Sequence, residues 1–342
     1  MSLSDILKAF GLVPAVYQCD RITTGHINFT YKVTGPDHFI LQRINKNVFR
    51  QPVIVANNIR LAADHLSRNN LDYLFPSSIL SVSKEEMVYD EEGFPWRLFP
   101  YISNTFTIDK VETEQEAWSA ASGFGKFTAR LWNSDVAAFR ETIPRFHDLS
   151  LRYEQFETAL QNSNEERKQN AKWAIDHCIA HHHLVVQYNN LIHSGELTLK
   201  VMHNDTKINN ILFDRTSREA VCVIDLDTLM PGYFIYDLGD MIRTFVSPVS
   251  EEEKDFSKII FRASIYHALI DGYFTSMNNC LTEEQRSLAP FAGYMMTYIM
   301  ALRFLADYLN GDIYYHTHYS GQNLIRGQNQ LHLLNILQAT LN

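Results

Sequence analysis

Cysteine is scarce in this 342-residue sequence: Cys19, Cys178, Cys222 and Cys280 stand far apart, with no Cys-x-x-Cys pair. They read as reduced core residues of a cytoplasmic protein, not as a disulfide framework. A basic excess is also missing, with 30 Lys and Arg against 39 Asp and Glu and a formal net charge of -9. Non-specific binding to nucleic acid or to an anionic membrane needs a basic face, so both are excluded as partners. The ligand is then small, and an anionic one needs local help from a metal ion or a few cations.

Long apolar runs are lacking too. The longest, "GYMMTYIMALRFLADYL", is broken by Arg303 and Asp307 and falls short of the roughly 18 uninterrupted residues of a membrane span. The start "MSLSDILKAFGL" has an acid at Asp5 and no apolar core of signal-peptide length, so a cytoplasmic location is expected. A Walker loop fails in "SAASGFGKF", which has Ala120 and Phe127 where glycine and a hydroxyl are required. That segment reads as a helix whose glycines allow close packing. "HCIAHHH" sets His177 and His181 one turn apart, but Cys178 stands where a zinc-protease glutamate would, and the segment reads as a solvated helix face.

What is present divides near Ser103. Residues 4 to 11 read as a short helix opened by Ser4 and closed by Gly11. "CDRITTGHINFTYKVTGPDHFILQRIN" alternates β-branched and aromatic residues with polar ones between turn formers, which predicts three strands. A helix follows in "QPVIVANNIRLAADHLSRNN", with Val53, Ala56, Ile59 and Leu66 on one side, and then two strands around "DEEG". From about Asp109 helical periods dominate, interrupted only by "VMHNDTKINNILFDRTSREAVCVID". The expected architecture is α+β, with a sheet-rich part over residues 1–103 and a larger helical part over 104–342, and no internal repeat is visible.

In that interruption, "ILFD" and "AVCVID" form two short β runs around the turn "RTSR". If Asp214 opposes Glu219 in a hairpin, Asn210 opposes Val223 and Asp225 lies just past that end. An amide oxygen and a carboxylate are hard donors suited to Mg²⁺, whose remaining ligands come from water and substrate phosphates. Asp205, five residues before Asn210, lies in the loop entering the first strand and is placed to accept a proton from an attacking hydroxyl. His203, Asp205 and Asn210, with Asp225 fifteen residues further on, keep the spacing of the protein-kinase catalytic loop and metal-binding Asp.

Those residues, with "VIDLDTLMPG" and "YDLGDMIR", resemble the aminoglycoside phosphotransferase and choline kinase superfamily. "TGHINFTYKV" and "FILQRINKNVF" are similar to its N-acetylhexosamine 1-kinase branch. The resemblance covers roughly residues 15 to 325 and implies a bilobal protein-kinase-like fold using ATP and Mg²⁺. It makes Asp205 the catalytic base and Asn210 and Asp225 the metal ligands, with Asp227 a further ligand or an orienter of the loop. His203 supports the loop backbone. Asp237 and Asp240 read as helix caps or interlobe hydrogen bonders.

For the nucleotide, the resemblance implies a phosphate approach at Thr24 and Gly25 and an adenine-reading hinge from Phe99 to Tyr101. The family's strand lysine is missing, since "FILQRIN" offers Gln42 and Arg43. Arg43 is the electrostatic candidate in its place, and no helix glutamate is evident in "VIVANNIR". For the acceptor, the resemblance points to Arg303 and His26, with Phe245 and Tyr314 as ring contacts over Asp205. An arginine in an apolar helix needs a counter-ion or a polar ligand, and Asp307 at i+4 is the structural alternative for Arg303. Phosphorylation of the anomeric hydroxyl of an N-acetylhexosamine is the leading expectation. A choline, ethanolamine or aminoglycoside kinase and a catalytically silent binding protein are the competing ones.

Overall fold

The computed structural model describes residues 2–23, 27–69 and 72–341. β1 (Gln18–Ile22), β2 (Phe29–Thr34), β3 (His38–Arg43), β4 (Val88–Tyr89) and β5 (Pro95–Pro100) pair in the order β1-β2-β3-β5-β4. Every pairing in this sheet is antiparallel. Successive strand side chains point to opposite faces, and here the two faces have different fates. Leu41, Trp96 and Leu98 join Val33 under α1 (Leu3–Ala9), whose Ile6 and Leu7 close a small outer core. Ile40 and Phe99 face the other way and merge with the main core.

Two expectations change in this region. α1 is opened by Ser2, because Asp5 sits at the third helical position and completes a capping box with it, not with Ser4. In α2 (Pro52–Asn69) the buried stripe runs through Val55, Ala56, Asn58, Ile59, Ala62 and Leu66, and Val53 stays exposed.

β6 (Thr105–Phe106) leads into the helical part, made of α3 (Glu114–Leu131), α4 (Leu149–Asn162), α5 (Glu165–Asn170), α6 (Lys172–Ala180) and α7 (His183–His193). β7 (Lys200–Met202), β8 (Ile211–Asp214), β9 (Ala220–Val223) and β10 (Met230–Gly232) follow, then α8 (Phe234–Phe245), α9 (Ala263–Ser276), α10 (Glu283–Arg286), α11 (Ala289–Leu309) and α12 (Gln322–Leu341). The long apolar run is α11, buried on nearly every side, as expected for the central helix of a large core. None of the described helices is long and apolar enough to cross a membrane.

The glycines of "SAASGFGKF" do serve close packing. A side chain at Gly123 would collide with Ile211 of β8, and one at Gly125 would crowd the Tyr273 carbonyl of α9. Gly239 of α8 lies against the Ala292 carbonyl of α11, with no room for a Cβ. Gly239→Ala is therefore expected to lower the unfolding free energy by about 1–3 kcal/mol, read as a lower urea midpoint. An unchanged midpoint would mean that α8 and α11 stand further apart.

Candidate active site

β7 ends in His203, and the next residues are held by hydrogen bonds that leave little freedom. The buried Asp237 of α8 accepts from His203 N at 3.1 Å and from Asn204 N at 2.7 Å. Thr206 Oγ1 donates to the Asp237 carbonyl at 2.6 Å. Asn204 takes the left-handed conformation at φ 63°, and its amide donates to the carbonyls of Met202, Thr228 and Met230. Asp237 is thus neither a cap nor an interlobe contact but the fastener of the catalytic-type loop. Burial pushes its pKa up to about 6, against the pull of His203 and the two backbone donors.

His203 is fully buried, edge-on to Phe124 and Phe127. Its Nε2 meets the Ile224 carbonyl at 2.9 Å, so Nε2 carries the proton and Nδ1 accepts from Asp205 N at 3.2 Å. One ring therefore joins the backbone of Asp205 to the residue before Asp225. The Asp205 side chain is 26% exposed and meets Lys207 Nζ at 2.9 Å. Asn210 Nδ2 donates to its Oδ2 at 2.9 Å and to its carbonyl at 2.9 Å. Burial pushes the Asp205 pKa up, but Lys207, His203 and Asn210 outweigh it and hold the carboxyl below its ordinary value. Asp205 is accordingly ionised at neutral pH.

Lys207 is a partner that the sequence reading missed. It stands two residues after Asp205 in extended backbone, where positions i and i+2 share a side, and that spacing was the available signal.

The β8–β9 hairpin forms with Asp214 opposite Glu219, joined at 2.9 Å. A bulge between Leu212 and Phe213 then shifts the ladder, so that Ile211, not Asn210, faces Val223. Asn210 still ends beside the metal candidate, because Ile224 N donates to its carbonyl at 2.9 Å. The Asn210 amide donors are spent on Asp205, leaving its Oδ1 without a donor among the described residues.

Asp225 has φ 58° and ψ 62°, a left-handed geometry in which Asp is enriched among non-glycine residues. Its carboxylate has no hydrogen-bond or ion-pair partner among the described residues and remains open to solvent. Partial desolvation, then the like charges of Asp227 and Asp205, push its pKa up to about 7 against the opposing charges of Arg97 and Lys207. An open, partnerless carboxylate pressed by like charge, beside a free amide oxygen, fits a hard divalent cation. No group of three His, Cys, Asp or Glu among the described residues could hold a metal, so two protein oxygens would carry it and phosphate or water would supply the rest.

Asp227 does not join them. It is buried, its Oδ1 lies 2.5 Å from Arg97 Nη2, and its Oδ2 accepts from Asn28 Nδ2 at 2.6 Å. Asn28 thus takes one oxygen and the other meets Arg97 as an ion pair without a hydrogen bond, so Asp227 is held toward the sheet and away from the Asn210–Asp225 pair. Arg43 also departs from expectation. In register with Trp96, it lies on the outer face of the sheet, over the Phe94 ring at 3.9 Å and within 3.3 Å of Glu92. Its neighbour Gln42 has the opposite parity and faces inward with Arg97.

Phe99 is nearly buried on the inner face, and the Tyr101 N–H is used by the His38 carbonyl at 3.0 Å, leaving it no hydrogen for a base. Phe245 is fully buried in the core and lines no opening. Thr24, Gly25 and His26 lie outside the described residues.

Arg303 is half-buried between the rings of Phe146 at 5.1 Å and Tyr315 at 5.5 Å. Asp307 does not pair with it. That carboxylate accepts from the backbone N–H groups of Ile313, Tyr314 and Tyr315 and from Asn323 Nδ2. Arg303 thus has no carboxylate partner among the described residues, and Tyr314 itself is largely exposed. His147 ties this corner to the loop by donating from Nε2 to the Asn204 carbonyl at 2.8 Å. Burial pushes its pKa down to about 3, with the charges of Arg303 and Arg152 adding to the effect. A hollow of about 390 Å³ lined by Phe146, His147, Tyr188, Tyr233 and Tyr236 opens beside Asn204, and neither Asp205 nor Asp225 lines it.

A small antiparallel sheet over a helical body, with an acid, an amide and a second acid gathered beneath the sheet, defines the protein-kinase-like class of phosphotransferases. Residues 18–278 match the phosphotransferase enzyme family, APH, and the chain belongs to it. Among solved structures, a microcompartment-associated aminopropanol kinase is similar at 15% identity and TM-score 0.64, covering 99% of this chain and 96% of that one. An amicoumacin kinase in complex with AMP-PNP, Ca²⁺ and Ami is similar at 13% identity and TM-score 0.64, covering 99% and 94%. A choline kinase from Cryptosporidium parvum follows at 14% identity and TM-score 0.57, covering 96% and 90%. At these identities the likeness is one of fold.

Proposed function

We propose that the protein is an ATP- and Mg²⁺-dependent kinase that transfers the γ-phosphoryl group to the anomeric hydroxyl of an N-acetylhexosamine. The observation that carries the kinase reading is the junction of Asp205, Asn210 and Asp225, in which His203 and Asn210 couple the base to the metal site. A divalent cation there would neutralise phosphate charge on the nucleotide. Asp205 takes the proton of the attacking sugar hydroxyl as the new phosphorus–oxygen bond forms and the bond to the β-phosphate breaks, releasing ADP. Positioning and charge supply most of the acceleration in such transfers.

Arg303 supports a neutral, hydroxyl-rich acceptor over choline, ethanolamine or an aminoglycoside. A ring cage can hold a quaternary ammonium group, but here Phe146 and Tyr315 already flank the protein's own guanidinium. A second cation beside it meets repulsion, whereas sugar oxygens accept its hydrogen bonds.

ADP release in the presence of N-acetylglucosamine, N-acetylgalactosamine, choline, ethanolamine and an aminoglycoside tests the reading. Turnover of an N-acetylhexosamine to its 1-phosphate is expected, and turnover of choline alone would overturn the acceptor assignment. Arg303→Met is expected to lower kcat/KM for the sugar by about 10- to 100-fold and to leave the KM for ATP unchanged. An unaltered sugar kcat/KM would remove Arg303 from the acceptor site.

A further inference from the structure

We propose that Arg97 of β5 replaces the strand lysine as the phosphate-facing cation of the nucleotide site, with Asp227 of the metal loop, not a helix glutamate, as its counter-charge. The inference rests on the kinase reading and concerns how this chain holds its nucleotide.

In protein kinases a lysine on the third strand pairs with a glutamate of the following helix. Here β3 presents Gln42 to the inner face, and Gln42 is in register with Arg97 on the neighbouring strand. Gln42 Oε1 accepts from Arg97 Nε at 3.1 Å and from Nη2 at 2.8 Å. The cation has moved one strand across the sheet while keeping its face. α2 carries no glutamate, and its single carboxylate, Asp64, points outward against Arg60 at 3.4 Å. The buried polar residue of α2 is Asn58, whose amide donates to the carbonyls of Arg140 and Leu229 at 2.7 and 2.8 Å. The helix is thus tied to the loop after Asp225 without charge, and Asp227 supplies the negative partner at 2.5 Å from Arg97.

An independent observation points to a ligand. Arg97 is 2% exposed, yet its Nη1 is buried with no hydrogen-bond partner among the described residues, as is Asp227 Oδ1. A guanidinium nitrogen left bare in the interior is costly, and a phosphate oxygen, a strong anionic acceptor, satisfies it. Because Asp227 lies two residues from Asp225, the same pair sets the sheet against the metal loop. Arg97 therefore contacts phosphate directly and positions the metal carboxylate through Asp227.

The test uses the full chain and Mg²⁺ with AMP-PNP, with no acceptor present. Arg97→Met is expected to weaken nucleotide binding by about 10- to 100-fold in calorimetry. Gln42→Lys combined with Arg97→Gln, which returns the cation to β3, is expected to recover most of that loss, a rescue that a packing role would not give. In the wild-type protein the guanidinium NMR signal of Arg97 is expected to shift on addition of Mg–AMP-PNP and not of adenosine, which keeps the test open if Arg97→Met fails to fold. Wild-type affinity in Arg97→Met, or an Arg97 signal indifferent to the triphosphate, overturns the inference and leaves the kinase reading standing. A wild-type protein that binds no nucleotide at all overturns both.

Discussion

Asp205→Asn is expected to lower turnover by about 100- to 10,000-fold, the range supplied by a positioned general base, while the fold and nucleotide affinity stay close to those of the wild type. The fold survives because the loop is held by Asp237, His203 and Asn204 through backbone and neighbouring side-chain bonds, none of which uses the Asp205 carboxylate. Asparagine has the same shape, and Lys207, half-exposed, turns to water when its partner loses charge. Steady-state rates at saturating ATP and acceptor, beside circular dichroism and calorimetric nucleotide binding, separate the two effects. Turnover within threefold of wild type would remove Asp205 from the chemistry, and a collapsed fold would show that its charge is structural.

Divalent cation is expected to raise the melting temperature more at pH 8 than at pH 6, and Asp225→Asn is expected to abolish that gain. The folded, metal-free protein holds the Asp225 pKa at about 7, against about 3.9 in an unfolded chain. Between those values the folded state keeps a proton that the unfolded state has lost. Stability of the metal-free protein therefore falls as pH rises from about 4 to 7 and levels off above, where the ionised carboxylate sits beside Asp227 and Asp205, only partly offset by Arg97 and Lys207. The side chain is open to solvent, which softens the loss. A cation at Asn210 and Asp225 reverses it and competes with the proton below pH 7, so its affinity rises with pH. Asp225→Asn removes the titrating group, making the metal-free protein more stable at pH 8 while turnover is lost. A magnesium-dependent gain equal at both pH values, or retained in the variant, would place the cation elsewhere.

Much of this site was legible along the chain because its parts are local. His203, Asp205 and Asn210 fall within eight residues, and a hairpin is a short-range structure that carries Asp225 back to them. The hairpin register was half legible. Its turn end was read correctly, but the bulge between Leu212 and Phe213 leaves no mark in a run of apolar residues, so the partner of Val223 was off by one.

Strand parity was equally legible for β3, since Gln42 and Arg43 must point to opposite faces. Which face looks inward was not. That depends on α1 covering Leu41 and Trp96, and it turned Arg43 outward. Arg303 shows the same division. The sequence posed the choice between Asp307 and a ligand, and the backbone donors of Ile313, Tyr314 and Tyr315 that claim Asp307 become visible only once the chain after α11 has folded back. Phe245 was misplaced because an aromatic residue has the same chemistry in a core as in a pocket.

The sequence by itself determined the acid, the amide and the second acid, their spacing, and the sheet-then-helix order, because hydrophobic periodicity and turn chemistry act over a few residues. Tertiary structure alone decided which cation of the sheet meets Asp227. Gln42 and Arg97 are 55 residues apart, and Arg97 meets Asp227 from the far end of the site. Their pairing follows from strand order and from the need of a buried guanidinium for a carboxylate, neither of which is written in any local pattern.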